Sequence, residues 1–410
     1  MIGSSIHSVV LNFQKIAFIT WTAIKTYLNG PYYSYLELNR NLQLFGNVRK
    51  LSVDDEDIVN DLNGKVCIIT GGTRGIGLEV VKTLLKKGCH VITGSSADGQ
   101  EIEKRHKAIV DQLSDQCTGQ LDIWPLDLSS MDSVMQFIDK FKQSGLSVNY
   151  LICNGAVMFA PFKLTADNFE THLAVNYLSH CLLIAQLVDS LAESAKQSGH
   201  KSRIVCVSSG AHRASTIRFQ DIHCERLFSI YHAYAQSKLA QIMFAYKFNE
   251  WLTKTTRAAD VTAVTVSGGH QLSDFITIAC LHPGVCRTDL MKEFNFFNLR
   301  PIQSLPIFRN AEEGAETTIY ATLSSHMEDI SGVYLEDCRV TKSSQKSYDK
   351  LIQQQLWTTT WKLLDKWTNN TMLYVVNQFA DNSTAPQQNN DNQHHQQQQQ
   401  GDQLDITYLT

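Results

Sequence analysis

From Gly64 onward the chain alternates short apolar runs with longer segments of helical periodicity, and this alternation restricts the fold more than any other feature. KVCIIT, HVITG, LDIWPL, VNYLIC, RIVCVS and FITIAC each read as a buried strand, continuous in apolar or β-branched residues. Between them lie stretches such as LEVVKTLLKKG, whose apolar positions recur at helical spacing and which Gly88 terminates. Strand and helix repeated in this way require crossover connections, hence a parallel sheet covered on both faces: a doubly wound α/β fold. Ligands of such sheets bind beyond the carboxyl ends of the strands, so the residues just after each strand become the candidates for function.

The first strand runs into Thr70-Gly71-Gly72-Thr73-Arg74-Gly75-Ile76-Gly77 and then a helix. Glycine lets the backbone turn tightly and approach a pyrophosphate, and the helix start offers free amides and the positive end of its dipole. Placed after the first strand of a βαβ unit, the turn predicts nucleotide binding. A site choosing NAD would place an acid after the second strand, but here the strand ends Gly94-Ser95-Ser96. Arg74 either faces a 2'-phosphate, favouring NADP(H) with NAD(H) left open, or points to solvent. Asp127-Leu128 follows the third strand, where a carboxylate can accept from an adenine amino group. Cys153-Asn154-Gly155-Ala156 follows the fourth, Ser208-Ser209 the fifth, and Pro283-Gly284 with Thr288 the sixth.

The segment YHAYAQSKLA, residues 231–240, holds two tyrosines and one lysine. Tyr234 and Lys238 stand four apart and share a helix face, whereas the residue four beyond Tyr231 is Ala235. An ammonium beside a phenol favours phenolate and lowers its pKa from about 10, giving an acid/base usable near neutrality.

In this order, TGGTRGIG, Asp127-Leu128, VNYLSH, VSS, YAQSK and HPGVCRTD resemble the short-chain dehydrogenase/reductase family over residues 64–357. The resemblance implies a single catalytic domain of Rossmann fold that moves a hydride between a nicotinamide cofactor and a carbonyl or alcohol carbon. It makes Ser209, Tyr234, Lys238 and Asn176 a catalytic tetrad, and Gly71, Gly75 and Gly77 the phosphate loop. The cofactor set also takes in Thr73, Arg74, Ile76, Ser96, Asp127, Leu128, Asn154, Pro283, Gly284 and Thr288, together with Tyr234 and Lys238. Tyr234 is then the general acid/base, and Ser209 holds the carbonyl oxygen. Lys238 lowers the tyrosine pKa and grips the nicotinamide ribose, and Asn176 holds a water in a proton relay. The family pattern of two asparagines before Ala-Gly is here Cys153-Asn154-Gly155-Ala156, a departure expected to weaken cofactor affinity at most.

LICNGAVM, AYAQSKLA and YDKLIQQQLW are similar to the polyprenol dehydrogenase branch of the family and, further off, to the retinol dehydrogenases. This implies an apolar alcohol, aldehyde or ketone substrate, polyprenoid in the first case and retinoid or steroid in the alternative. The place of action it implies is the endoplasmic reticulum membrane or a lipid droplet. A reading from another class, a nucleotide-binding regulator without catalysis, is disfavoured because Ser209, Tyr234 and Lys238 are all present.

The two ends differ from the middle. Residues 1–45 contain IAFITWTAI between Lys15 and Lys25, shorter than the roughly 20 residues a membrane span needs. It reads as a helix lying in one leaflet, or as a helix packed on the protein's own core. Residues 380–410 are Gln/Asn-rich, with nothing to bury, and are expected to be disordered. Sequons at Asn369 and Asn382 matter only if that end is lumenal. A net charge of -4 gives no footprint for nucleic acid, and 10 scattered cysteines without a CxxC predict neither zinc nor a disulfide framework. A homo-oligomer is left open. Residues 253–274 lengthen the path from the Tyr234 helix to the sixth strand, and residues 290–310 fall where the family keeps a substrate lid.

Overall fold

The structure, a computed structural model, describes residues 57–113, 117–254, 271–286 and 309–368. Eight strands form one sheet in the order β3-β2-β1-β4-β5-β6-β7-β8. β1 (Val66–Thr70), β2 (His90–Ser95), β3 (Gln120–Pro125), β4 (Tyr150–Cys153), β5 (Ser202–Val207) and β6 (Ile276–His282) are the six expected strands, all parallel. β7 (Val333–Glu336) extends the sheet in parallel, and β8 (Arg339–Thr341) closes it antiparallel. The β7–β8 hairpin turns through Asp337 and Cys338, with φ of 52° and 57°. Both central residues of such a two-residue turn need positive φ, which glycine or asparagine usually signals. Neither is present here, so the hairpin leaves little trace in the sequence.

Successive β1 residues face opposite cores. Val66 and Ile68 join one hydrophobic cluster, and Cys67 and Ile69 join the other. α1 (Gly75–Lys86) puts Val80, Val81, Leu84 and Leu85 into the second cluster and ends before Gly88, whose φ is +87°. α2 (Gly99–Leu113) and α6 (Ala311–Leu323) lie on the same face. α6 is secured by a capping box in which Asn310 and Glu313 exchange hydrogen bonds.

The opposite face carries α3 (Met131–Gln143), α4 (Thr171–Ser198), α5 (Ile230–Lys254) and α7 (Lys350–Leu363). Phe244 of α5 stacks on Trp357 of α7 with ring centroids 5.5 Å apart, fixing the helix that carries Tyr234. α4 is the one helix among the described residues long and apolar enough to cross a membrane, but it is mostly buried in this core. The chain runs from β1 outward to β3 and returns to place β4 on the other side of β1. The crevice at that reversal, beyond the carboxyl ends of β1 and β4, is where a doubly wound sheet binds its ligand.

Candidate active site

The glycine turn after β1 is built so that side chains are excluded. A Cβ on Gly77 would lie 2.3 Å from the Gly71 carbonyl oxygen, and one on Gly71 would meet Gly155 Cα at 2.9 Å. Gly71 and Gly75 hold φ of 68° and 56°. Arg74, exposed, is the N-cap of α1 and makes no side-chain capping bond, so the first amides of a 12-residue helix stay open beside this cradle. This is what a dinucleotide phosphate requires, and the turn and helix start fit one. Thr73 accepts a hydrogen bond at 3.5 Å from Arg105 on α2, which Glu101 holds at 2.9 Å. Ile76 turns away from the cradle toward α6, beside Gly314.

Thr70, the last residue of β1, ties this turn to β4. Its hydroxyl accepts the amides of Asn154 (3.0 Å) and Gly155 (2.8 Å) and bonds His180 Nε2 at 2.9 Å. Asn154 Nδ2 in turn donates to the carbonyl of Thr70 at 2.9 Å and of Gly71 at 3.3 Å. The exchanged order of glycine and alanine therefore keeps the asparagine as a brace of the glycine turn. Gly155 lies under Leu128, whose Cδ1 would be 2.7 Å from a Cβ there. Cys153 is buried in the core.

α4 contains a π-turn at Ala174–Leu178, the kind of helix widening that accompanies functional positions, and Asn176 lies inside it. The Asn176 side chain donates to the Val157 carbonyl at 3.0 Å and Ser237 Oγ at 2.9 Å, and accepts the Val157 amide at 2.8 Å. Its backbone carbonyl bonds His180 Nδ1 at 3.1 Å. A carbonyl can only accept, so Nδ1 of His180 carries the proton and Nε2 accepts from Thr70. Burial lowers His180 to about 4, keeping the ring neutral. His180 thus joins the end of β1 to the π-turn.

Beyond β5, Ser209 caps the turn that follows, accepting the Ala211 amide at 3.2 Å, and its hydroxyl lies close enough to the Tyr234 phenol to favour the phenolate. Ser208 donates to the Lys238 carbonyl at 2.8 Å, and Lys238 Nζ donates to the Val207 carbonyl at 2.9 Å. These bonds dock α5 on the end of β5. Ser209, Tyr234 and Lys238 therefore lie together past the carboxyl end of β5, with the Lys238 ammonium 5.9 Å from the Tyr234 ring centroid. Tyr231 does not join them: half-buried, its ring packs edge-on against Phe159 at 5.3 Å. Phe159 also lies 6.1 Å from the Tyr234 ring and has φ of +59°, a strained conformation for a bulky side chain. Its neighbour Ala160 donates to His172 Nε2 at 3.2 Å, and the far ring nitrogen bonds buried Glu170 at 2.7 Å.

The electrostatics differ from the sequence expectation in one respect. Burial pushes the Tyr234 phenol up to about 12, with Ser209 pulling the other way, and lowers Lys238 to about 8. The ammonium lies 5.9 Å from the Tyr234 ring centroid and is engaged elsewhere, so desolvation outweighs its effect on the phenol.

The remaining expected residues lie around the crevice edge. Asp127 is exposed and accepts the Ser129 amide at 2.8 Å and hydroxyl at 2.7 Å. Leu128 covers Gly155, and Ser96 is exposed at the tip of β2. Gly284 has φ of +85°, and a Cβ there would strike the Arg309 side chain at 2.7 Å; Pro283 precedes it in the same turn. Thr288 and most of the expected lid lie outside the described residues, as do residues 255–270 of the lengthened connection. Thr70, Phe159, His180 and Gln241 join the site without a role that the sequence assigns them. For His180 the spacing of four from Asn176 was the available signal, and for Gln241 the spacing of three from Lys238.

The chain belongs to the short-chain dehydrogenase family: the family's model matches residues 65–297. It is an oxidoreductase of a family that uses NAD(P). Among its relatives, human polyprenol dehydrogenase is 36% identical over 72% of this chain and 83% of the relative. Human retinol dehydrogenase 12 is 33% identical over 74% and 87%. The fold is shared with a crystal structure of an uncharacterized protein from Mycobacterium paratuberculosis, with TM-score 0.56 and 23% identity over 76% of this chain and 97% of that one.

Proposed function

We propose that the protein interconverts an apolar alcohol and its carbonyl compound, with Tyr234 as general acid/base. The observation that carries this is the docking of the Tyr234 helix on the end of β5, through Lys238 to Val207 and Ser208 to Lys238, which gathers Ser209, Tyr234 and Lys238 past the carboxyl ends of the strands. A bound nicotinamide supplies or accepts the hydride. Ser209 holds the substrate oxygen by a bond that strengthens as negative charge develops there, and Tyr234 delivers or removes the oxygen's proton. Lys238 holds the cofactor ribose, and Asn176 braces the turn against Ser237. The glycine turn, with Thr73 and the backbone amide of Ile76 and braced by Asn154, would hold the pyrophosphate end; Ser96, Asp127 and Leu128 the adenosine end; Pro283, Gly284 and Thr288 the nicotinamide end.

The relatives point to a polyprenoid as substrate, with a retinoid as the second reading because retinol dehydrogenase 12 is nearly as similar. Turnover of the purified protein on polyprenoid, retinoid and steroid alcohols with both cofactors tests this. A protein inactive on all three with either cofactor would leave the regulator reading standing.

NADP(H) is the favoured cofactor. The first acid past β2, Asp98, has an oxygen engaged by the Glu101 amide at 2.9 Å, while Arg105 donates to Thr73 and Arg74 follows it in the turn, exposed. Arg74→Ala is expected to raise KM for NADPH several-fold, in line with a charge-assisted bond, and to leave KM for NADH nearly unchanged. Wild-type protein using NADH as well as NADPH would contradict this assignment.

Residues 1–45 attach the domain to the endoplasmic reticulum membrane or to a lipid droplet. The support is the sequence itself: an apolar run whose flanking Lys15 and Lys25 can reach headgroups. Removing residues 1–45 should move the protein from membrane pellet to supernatant and spare reduction of short soluble aldehydes, while activity on bilayer-dissolved substrate falls. Full-length protein recovered wholly in the supernatant would refute it, as would a truncated protein that aggregates.

A further inference from the structure

We propose that Gln241 is a positioning residue for Lys238, fixing its ammonium and keeping it charged. The proposal rests on the reading of Lys238 as the cofactor-holding lysine. Gln241 stands one turn beyond Lys238 on α5, and its Oε1 accepts from Nζ at 3.0 Å. With the Val207 carbonyl at 2.9 Å, this uses two of the three ammonium hydrogens and leaves one for a bound ligand.

Two further observations single Gln241 out. First, its side chain is 3% exposed, and Nε2 finds no partner among the described residues. A buried amide with half its bonding capacity unmet is costly, and methionine would fill the same space without that cost. What the amide supplies that methionine cannot is an acceptor for Lys238. Second, that acceptor has few substitutes. Cys153, Cys206 and Cys280 face the lysine in register from β4, β5 and β6, His180 faces it from α4, and the Tyr234 ring from α5. Burial holds Cys153 and Cys280 well above the usual thiol range, Tyr234 near about 12 and His180 near about 4, so none of these four is charged near pH 7. No carboxylate among the described residues pairs with Lys238, so neutral oxygens carry its charge.

Burial lowers Lys238 to about 8, close to working pH, and an acceptor at Gln241 opposes that fall. An acceptor favours the protonated form; removing it lowers the lysine pKa further, and a carboxylate in its place raises it. The test measures NADPH binding by fluorescence quenching, and farnesol oxidation, as functions of pH, in Gln241→Met, Gln241→Glu, Lys238→Met and the wild type. Gln241→Met should move the alkaline fall of both curves down by roughly one pH unit, the size expected for one bond to a charged group. Gln241→Glu should move it up. Unchanged midpoints in both variants overturn the proposal, and if Gln241→Met fails to fold, the direction of the Gln241→Glu shift decides. Lys238→Met separates the two levels: with wild-type NADPH affinity and turnover in that variant, the role of Lys238 itself is wrong.

Discussion

Tyr234→Phe should abolish turnover while leaving NADPH affinity close to that of the wild type. The substitution removes one hydroxyl from a ring that is otherwise held by its surroundings, with Phe159 at 6.1 Å and His172 at 6.3 Å between centroids. What is lost is the group that gives or takes the substrate proton, a contribution of roughly 10²- to 10⁴-fold in rate. Ser209 keeps its bond from the Ala211 amide, so its turn should not move. Tyr231→Phe should be nearly silent, because the Tyr231 ring packs on Phe159 and that packing survives the change. Steady-state kinetics of the two variants, with NADPH titrations of each, make the comparison. Equal losses from the two changes would sink the assignment of Tyr234. An unaltered rate in Tyr234→Phe would place the proton transfer on another group.

How much of this could be read from the residues varies with what each feature depends on. The six parallel strands β1 to β6 are legible as apolar runs, and five of them are buried almost throughout, as a strand covered on both faces must be. β7 and β8 are missed because the turn between them lacks the usual glycine or asparagine and β8 is three largely exposed residues. The pairing of Tyr234 with Lys238 follows from helical spacing. Its electrostatic consequence does not, because desolvation depends on what covers the residue, and here it raises the phenol and lowers the ammonium. Asn176 shows the same divide. Its position is readable, but the π-turn that aims it is not, and neither is the bracing by Val157 and Ser237, residues 19 behind and 61 ahead in the chain. His180 and Gln241 carry no composition signal at all. Their importance lies in which buried partners they satisfy, Thr70 and Asn176 for one and Lys238 for the other.

Gly77→Ala should cost nucleotide affinity roughly 100-fold or more, the penalty for displacing a ligand-contacting group by about an ångström. The added Cβ would lie 2.3 Å from the Gly71 carbonyl oxygen and 2.6 Å from Asn154 Nδ2. Neither neighbour can easily yield. The carbonyl is backbone in a residue already at φ of +68°, and the asparagine amide is committed to the Thr70 and Gly71 carbonyls. Relief therefore has to come from moving α1 away from the turn, which spoils the alignment of its first amides with the phosphate cradle. Gly99→Ala is the matching control: it also lies at a helix start, its new Cβ meets nothing within 4 Å, and NADPH affinity should be unchanged. Fluorescence titration of NADPH into both variants, with thermal unfolding to show that each is folded, separates local obstruction from general damage. Wild-type affinity in a folded Gly77→Ala would mean that the cofactor phosphates are held elsewhere than at the start of α1.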